Sequence, residues 1–220
     1  LREGLERARA WRVAGLLACA LVAAVIIAGR GSPGTLALIA AGAQATGAAA
    51  IAVIWPHRRE ARLLLFCLLC FAVWAGGTGI VASLAISTAL ALFLGFLHLA
   101  VPPVTIARRV VTFGAFGFDT VAAAFSLWPP PDAWSLSVLL ALEISVVMCC
   151  WLAARSSRER RRLIVPVVVP IIAFSAVMAL EHALALAGSI STASGAFGIA
   201  QALTAIAIPF GFVMGAARAA

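Results

Sequence analysis

The amino-acid sequence predicts an all-α polytopic integral membrane protein with about eight transmembrane helices and both termini on the cytoplasmic side. Three observations carry that expectation. Of the 220 residues, 64% are hydrophobic and only 11% charged, against about 25% charged in a soluble domain. Such a chain has too little polar surface to face water and takes the bilayer as its solvent. Apolar runs of spanning length recur from end to end, giving a mean hydropathy of +1.12. The net charge of +8 arises without a single lysine, and the arginines sit in short loops between the apolar runs. That distribution orients a membrane protein and is not the clustered face that grips nucleic acid. Arg155, Arg158, Arg160, Arg161 and Arg162 crowd one such loop. Placing it inside fixes every other segment by alternation.

Residues 1–12 read as a basic cytoplasmic lead-in holding Arg2, Arg7, Arg9 and Arg12. The spans are expected at 13–29, 35–55, 63–82, 86–101, 110–128, 134–154, 163–187 and 195–215. Arg30 to Gly34 is the turn after the first, and Pro56 to Arg62 returns the chain to the basic side. Residues 63–101 carry no formal charge. As one helix they would run about 58 Å at 1.5 Å per residue, roughly twice the hydrocarbon thickness, so they must form two spans. The sequence favours a turn near Ser83 to Ser87, because a break at Gly76 to Gly79 leaves the first half short. Pro102 and Pro103 stop the fourth span, since proline lacks the amide proton a continuing helix needs. Arg108 and Arg109 mark the next inside loop. Pro129 to Asp132 turns outside between Trp128 and Trp134. The seventh span has Pro166 and Pro170 in its first turns, residues 188–194 form a Ser/Gly/Thr turn, and 216–220 is expected to begin a longer cytoplasmic segment. With this topology 15 of 16 arginines are inside, Arg30 being the exception. Five of six tryptophans lie near an interface, as an aromatic belt places them; Trp74 does not.

Four polar residues stand out within the spans. A charged side chain at a span centre costs about 2.5–3.5 kcal/mol on insertion scales, so it faces the bundle interior and needs a partner. Asp119 and Glu143 fall near mid-span, and Glu181 and His182 in the outer third of the seventh. One reading is a polar cavity that binds a cation or proton and passes that state to the helices. The other is a set of neutral, hydrogen-bonded groups that fix helix packing together with Gln44 and Gln201. His98, alone on an apolar face, reads as a packed residue, and His57 as a solvated one.

Cys67 and Cys70 share a helix face, and Cys19, Cys149 and Cys150 map to a similar depth. A thiol site is one reading, small apolar packing groups the other. No histidine completes a ligand set, so neither a metal nor another cofactor is expected. Gly211 and Gly215 form a GxxxG on the last span just after Pro209, a spacing that lets two helix backbones approach closely. It suits a dimer contact, a movable output helix, or close packing within one monomer. There is no Walker A motif, HExxH or GxSxG, so this chain carries no recognisable catalytic site.

Three stretches carry a family resemblance. Leu97 to Pro103 followed by Arg108 and Arg109, the basic loop Arg155 to Leu163 with its Glu159-Arg160 core, and Pro209 to Arg218 leading out of the last span resemble the multi-pass amino-terminal membrane region of bacterial sensor histidine kinases. The chain departs from that family at Arg161-Arg162, where glutamines are frequent, at Ile164-Val165, where a basic residue and tryptophan are usual, and at Pro103, where glycine is common. The resemblance implies residence in the bacterial cytoplasmic (inner) membrane and a homodimer. It also implies a phosphoacceptor-bearing helical hairpin and ATP-binding domain beyond this chain, and through them a response regulator as partner. On that reading the chain is the sensory input domain of a two-component kinase, acting through its last helix. A small transporter or channel using Asp119, Glu143 and Glu181 is the alternative from the residues alone, and a membrane scaffold a third.

Overall fold

A computed structural model describes residues 35–55, 58–77, 79–102, 105–128, 132–155, 158–189 and 195–219. The lead-in, the predicted span at 13–29 and Cys19 lie outside them. The described chain is all-helical: α1 (Thr35–Ile54), α2 (Arg59–Gly76), α3 (Gly79–Ala100), α4 (Ile106–Leu127), α5 (Asp132–Ala154), α6 (Arg158–Leu186) and α7 (Gly195–Ala219). Six of these are long and apolar enough to cross a membrane, which makes this a multi-pass membrane protein. Helix α2 is the exception because its 18 residues begin with Arg59, Glu60 and Arg62.

The described helices form a closed ring. Each packs on the next in sequence, and α7 returns to pack on α1. With seven described helices alternating in direction, α1 and α7 run parallel where the ring closes. All arginines of the described helices and loops fall at one end: Arg58, Arg59 and Arg62 before or within the first turn of α2, Arg108 and Arg109 at the start of α4, Arg155 to Arg162 between and within α5 and α6, and Arg218 at the end of α7. Trp151 lies 4.6 Å beneath the Arg155 guanidinium there, a cation–π contact. Trp128 and Trp134 stand exposed at the opposite end. Arg108 also donates to the Leu152 carbonyl at 2.7 Å, so a start-of-helix arginine satisfies one of the free carbonyls in the last turn of α5.

Two expectations are corrected. The break between the third and fourth predicted spans falls at Gly77 to Gly79, not near Ser83 to Ser87. Helix α2 recovers its length by starting inside the charged loop. Gly79 adopts φ +61°, a left-handed conformation that favours glycine. A Cβ on Gly77 would come 2.5 Å from the Val73 carbonyl oxygen, so glycine is needed there too. Ser83 and Thr88 do not break α3. Their hydroxyls turn back to the carbonyls of Gly79 and Leu84, at 3.3 and 2.8 Å, which lets a helix continue through them. The second correction concerns α6, which begins at Arg158 and not at 163, so Pro166 and Pro170 lie well inside it. At its other end the Gly188 and Ser189 amides bond back to the Ala185 and Leu184 carbonyls, both at 3.0 Å. Gly188 has φ +67°. This is a Schellman termination, which needs a left-handed residue just past the helix.

Pro209 lies inside α7 and has no amide proton for the carbonyl one turn back, that of Ala205. Gln44 of α1 supplies the missing donor, its Nε2 reaching the Ala205 oxygen at 2.7 Å. One turn along α1, Gly47 receives the ring of Pro209; a Cβ on Gly47 would lie 2.4 Å from the proline Cβ. A similar fit joins α6 to α7. Pro170 cannot bond the Pro166 carbonyl, and that oxygen faces Gly211, where a Cβ would lie 2.2 Å from it.

Candidate functional site

A cavity of about 730 Å³ opens between the helix ends opposite the arginines. Small residues leave room there: Gly77 and Gly79 beside the break, Ala82 of α3, and Gly198 and Ala202 of α7 all line it. The wall combines Trp74, Phe125, Leu139 and Met178 with hydroxyls from Ser83, Ser87, Ser126 and Ser135, and with His182 and Gln201. A mostly apolar hollow with a few convergent polar groups is the form small-molecule sites take.

Below it, aromatic side chains fill the bundle. Trp74 packs edge-on to Phe174 with ring centroids 5.2 Å apart, and Phe174 in turn to Phe71 at 5.6 Å. These contacts tie α2 to α6 across the ring. With α2 ending at Gly76, Trp74 falls near the helix end opposite the arginines and not at mid-span as the sequence suggested, and there it roofs the core and walls the cavity. Deeper still, Phe93 of α3 stacks on Phe212 of α7 at 6.0 Å.

The intramembrane acids fall into two places. Glu181 is 6% exposed and accepts a hydrogen bond from Gln201 of α7. Beside it, His182 is 7% exposed and lines the cavity, with its Nδ1 unpartnered among the described residues. Asp119 and Glu143, on the neighbouring helices α4 and α5, are 5% and 2% exposed. Helix α4 buries only Ala115, Asp119 and Ala122, a single stripe at helical spacing with the carboxyl at its centre. Glu143 lies within electrostatic reach of Asp119 and beside the hydroxyl of Ser175, which belongs to α6 and is fully buried.

The two places are connected by register. Ala122, Leu139 and Met178 line the cavity, and each lies one helical turn from Asp119, Glu143 and Ser175 respectively. Because α4 and α6 run away from the arginine end and α5 toward it, all three steps point the same way. The acid pair therefore sits about 5 Å, one helical turn, beneath the cavity floor.

Other candidates are placed as follows. Pro209 and Gly211 serve contacts within the monomer, Gly211 against α6 and Pro209 against α1, and Gly215 is buried one turn further on. Cys67 and Cys70 are on α2, Cys149 and Cys150 on α5, helices that are not neighbours in the ring. Among the described residues no group of three or more histidine, cysteine or acidic side chains is arranged to hold a metal. His98 is exposed at the arginine end. Ser175 was not legible as a site residue, because a lone serine in a span is ordinary and only the fold brings it to Glu143. Ser83, Ser126 and Met178 escaped for the same reason.

No family model, curated protein or solved structure matches the chain. The reading of function rests on the residues and their geometry.

Proposed function

We propose that this chain is a membrane-embedded sensory input domain. A small, largely apolar ligand bearing a hydrogen-bonding group occupies the cavity, and α7 carries its state toward the arginine end. The observation that supports this reading is the architecture of α6 and α7. Both line the cavity at one end, both contain interior prolines, and they meet again below through Gly211 and Pro166. A proline-bent helix seated on a glycine is a joint at which a small displacement is passed along the axis.

In the cell the arginine end faces the cytoplasm of a bacterial inner membrane, by the positive-inside rule. A homodimer, a histidine-phosphorylating output region after residue 220 and a response regulator complete the pathway. The test begins with the reading frame beyond Ala220. A continuation containing a histidine-bearing helical pair and an ATP-binding domain is expected. Autophosphorylation of that full-length protein in nanodiscs should change in variants that fill the cavity, such as Ser126→Trp. A stop codon close after Ala220, or phosphorylation indifferent to cavity-filling variants, sinks the proposal.

A secondary transporter is the second reading, and the buried pair Asp119 and Glu143 is the observation that favours it. Cation-dependent flux into liposomes, lost in Asp119→Asn and Glu143→Gln, distinguishes it from the first.

A further inference from the structure

Three buried oxygens without hydrogen-bond partners among the described residues gather at one depth: Asp119 Oδ1, Glu143 Oε2 and Ser175 Oγ. Each comes from a different helix. Ser175 is the independent witness, because a fully buried hydroxyl needs a partner and the Glu143 carboxyl lies beside it. Among the described residues, no cation faces the pair from any helix packed around it. On α3 the only titratable group is His98, at the arginine end, and α4 adds only Arg108 and Arg109 in its first turn. On α5 Cys149 and Cys150 lie nearly two turns from Glu143, and Asp132 starts the helix at the opposite end. On α6 Glu181 and His182 lie nearly two turns above Ser175, with Arg158 to Arg162 in its first turns, and on α7 the only charged group is Arg218 in the last turn. Two ionised carboxylates facing each other in a medium that screens them so poorly repel strongly, which favours uptake of a proton by the pair.

We propose that Asp119 and Glu143 form a proton-binding site that holds one exchangeable proton between them, positioned by Ser175 and loaded from the cavity above. In the loaded state one carboxyl is neutral and donates its O–H to the carboxylate of the other, while the Ser175 hydroxyl donates to Glu143. Loading adds one proton and one positive charge to the bundle interior. Release passes the proton to water in the cavity across the single turn between Asp119 and Ala122, leaving two carboxylates. This inference goes beyond the sensory reading and does not depend on it, since a proton site serves an input domain and a transporter alike.

Difference infrared spectroscopy of the protein in nanodiscs, in H₂O and D₂O, reads the site directly. A protonated-carboxyl C=O band is expected that shifts on deuteration. It should move to a new frequency in Asp119→Asn, in Glu143→Gln and in Ser175→Ala, disappear in the Asp119→Asn/Glu143→Gln double variant, and stay unchanged in Glu181→Gln. Filling the floor with Ala122→Phe should slow its H/D exchange at least tenfold. The wild-type spectrum alone is decisive if a variant does not fold, because absence of any protonated-carboxyl band overturns the proposal. So does a band that follows Glu181, and so does one present in choline chloride but lost in sodium chloride, which would assign the site to a metal cation.

Discussion

Gln44 gives Ala205 the hydrogen bond that Pro209 withholds. The carbonyl would be an orphan inside an apolar bundle, and the amide of a neighbouring helix reaches it at 2.7 Å. In a membrane an unpaired backbone group has no water to turn to, so the proline on α7 and the glutamine on α1 are one device.

A double-substitution cycle tests that pairing. Gln44→Leu removes the donor and is expected to cost about 1 kcal/mol, within the range measured for interhelical hydrogen bonds in membranes. Pro209→Ala restores the amide to its own helix, so Gln44→Leu made in that background should cost less. The readout is thermal unfolding in detergent, and equal costs in both backgrounds would show that the two residues act independently.

Gly211→Ala should be among the more damaging single-methyl additions in the chain. Its Cβ would meet the Pro166 oxygen at 2.2 Å and Pro170 Cγ at 2.7 Å, and relief requires α6 and α7 to move apart, at a cost of about 1–3 kcal/mol. Gly114→Ala and Gly117→Ala on α4, with nothing within 4 Å, should leave the melting temperature unchanged or slightly raised. A similar loss at all three sites would contradict the packing described for α6 on α7.

Accessibility fixes the orientation. In a cysteine-free background, Ser83→Cys and Ser126→Cys should react with a membrane-impermeant thiol reagent added to intact cells. Ala115→Cys, buried one turn from Asp119 toward the arginine end, should not. Labelling of Ser126→Cys only after the cytoplasmic face is opened would invert the topology.

Removing the Arg108 side chain separates charge from packing. Arg108→Ala leaves the Leu152 carbonyl without its charge-assisted donor, and a loss of about 1.5–3 kcal/mol is expected. Arg108→Lys should recover part of it. Equal melting temperatures for wild type and Arg108→Ala would show that water replaces the guanidinium.

Much of the architecture was legible in the residues, and the reason is physical. Apolar length and arginine position are read by the membrane one segment at a time, so second to eighth predicted spans find counterparts in α1 to α7. The misjudged break at Gly77 to Gly79 came from starting α2 after its charges. A helix at an interface can carry Arg59, Glu60 and Arg62 in its first turn, and once it does, the glycine pair falls at the right length. The acids were legible singly, because a carboxyl in a span always calls for explanation. Their sorting was not. That Glu181 takes Gln201 while Glu143 faces Asp119 and Ser175 depends on which helix faces are turned inward, and helices as evenly apolar as α5 and α6 do not declare a face. The partnership of Gln44 with Ala205 spans 161 residues of sequence, and nothing local to either announces it.

That separation has a consequence for biogenesis. Every other seam of the ring joins helices adjacent in sequence and so can form as the chain emerges. The seam between α1 and α7 cannot. Until α7 has been inserted, Gln44 lacks its Ala205 partner, and the described helices form an open arc with that polar side chain on its edge. Arrival of α7 covers that edge and satisfies the glutamine in the same step. Assembly is therefore committed late, and a nascent chain stalled before Ala205 should be the species that membrane quality control recognises.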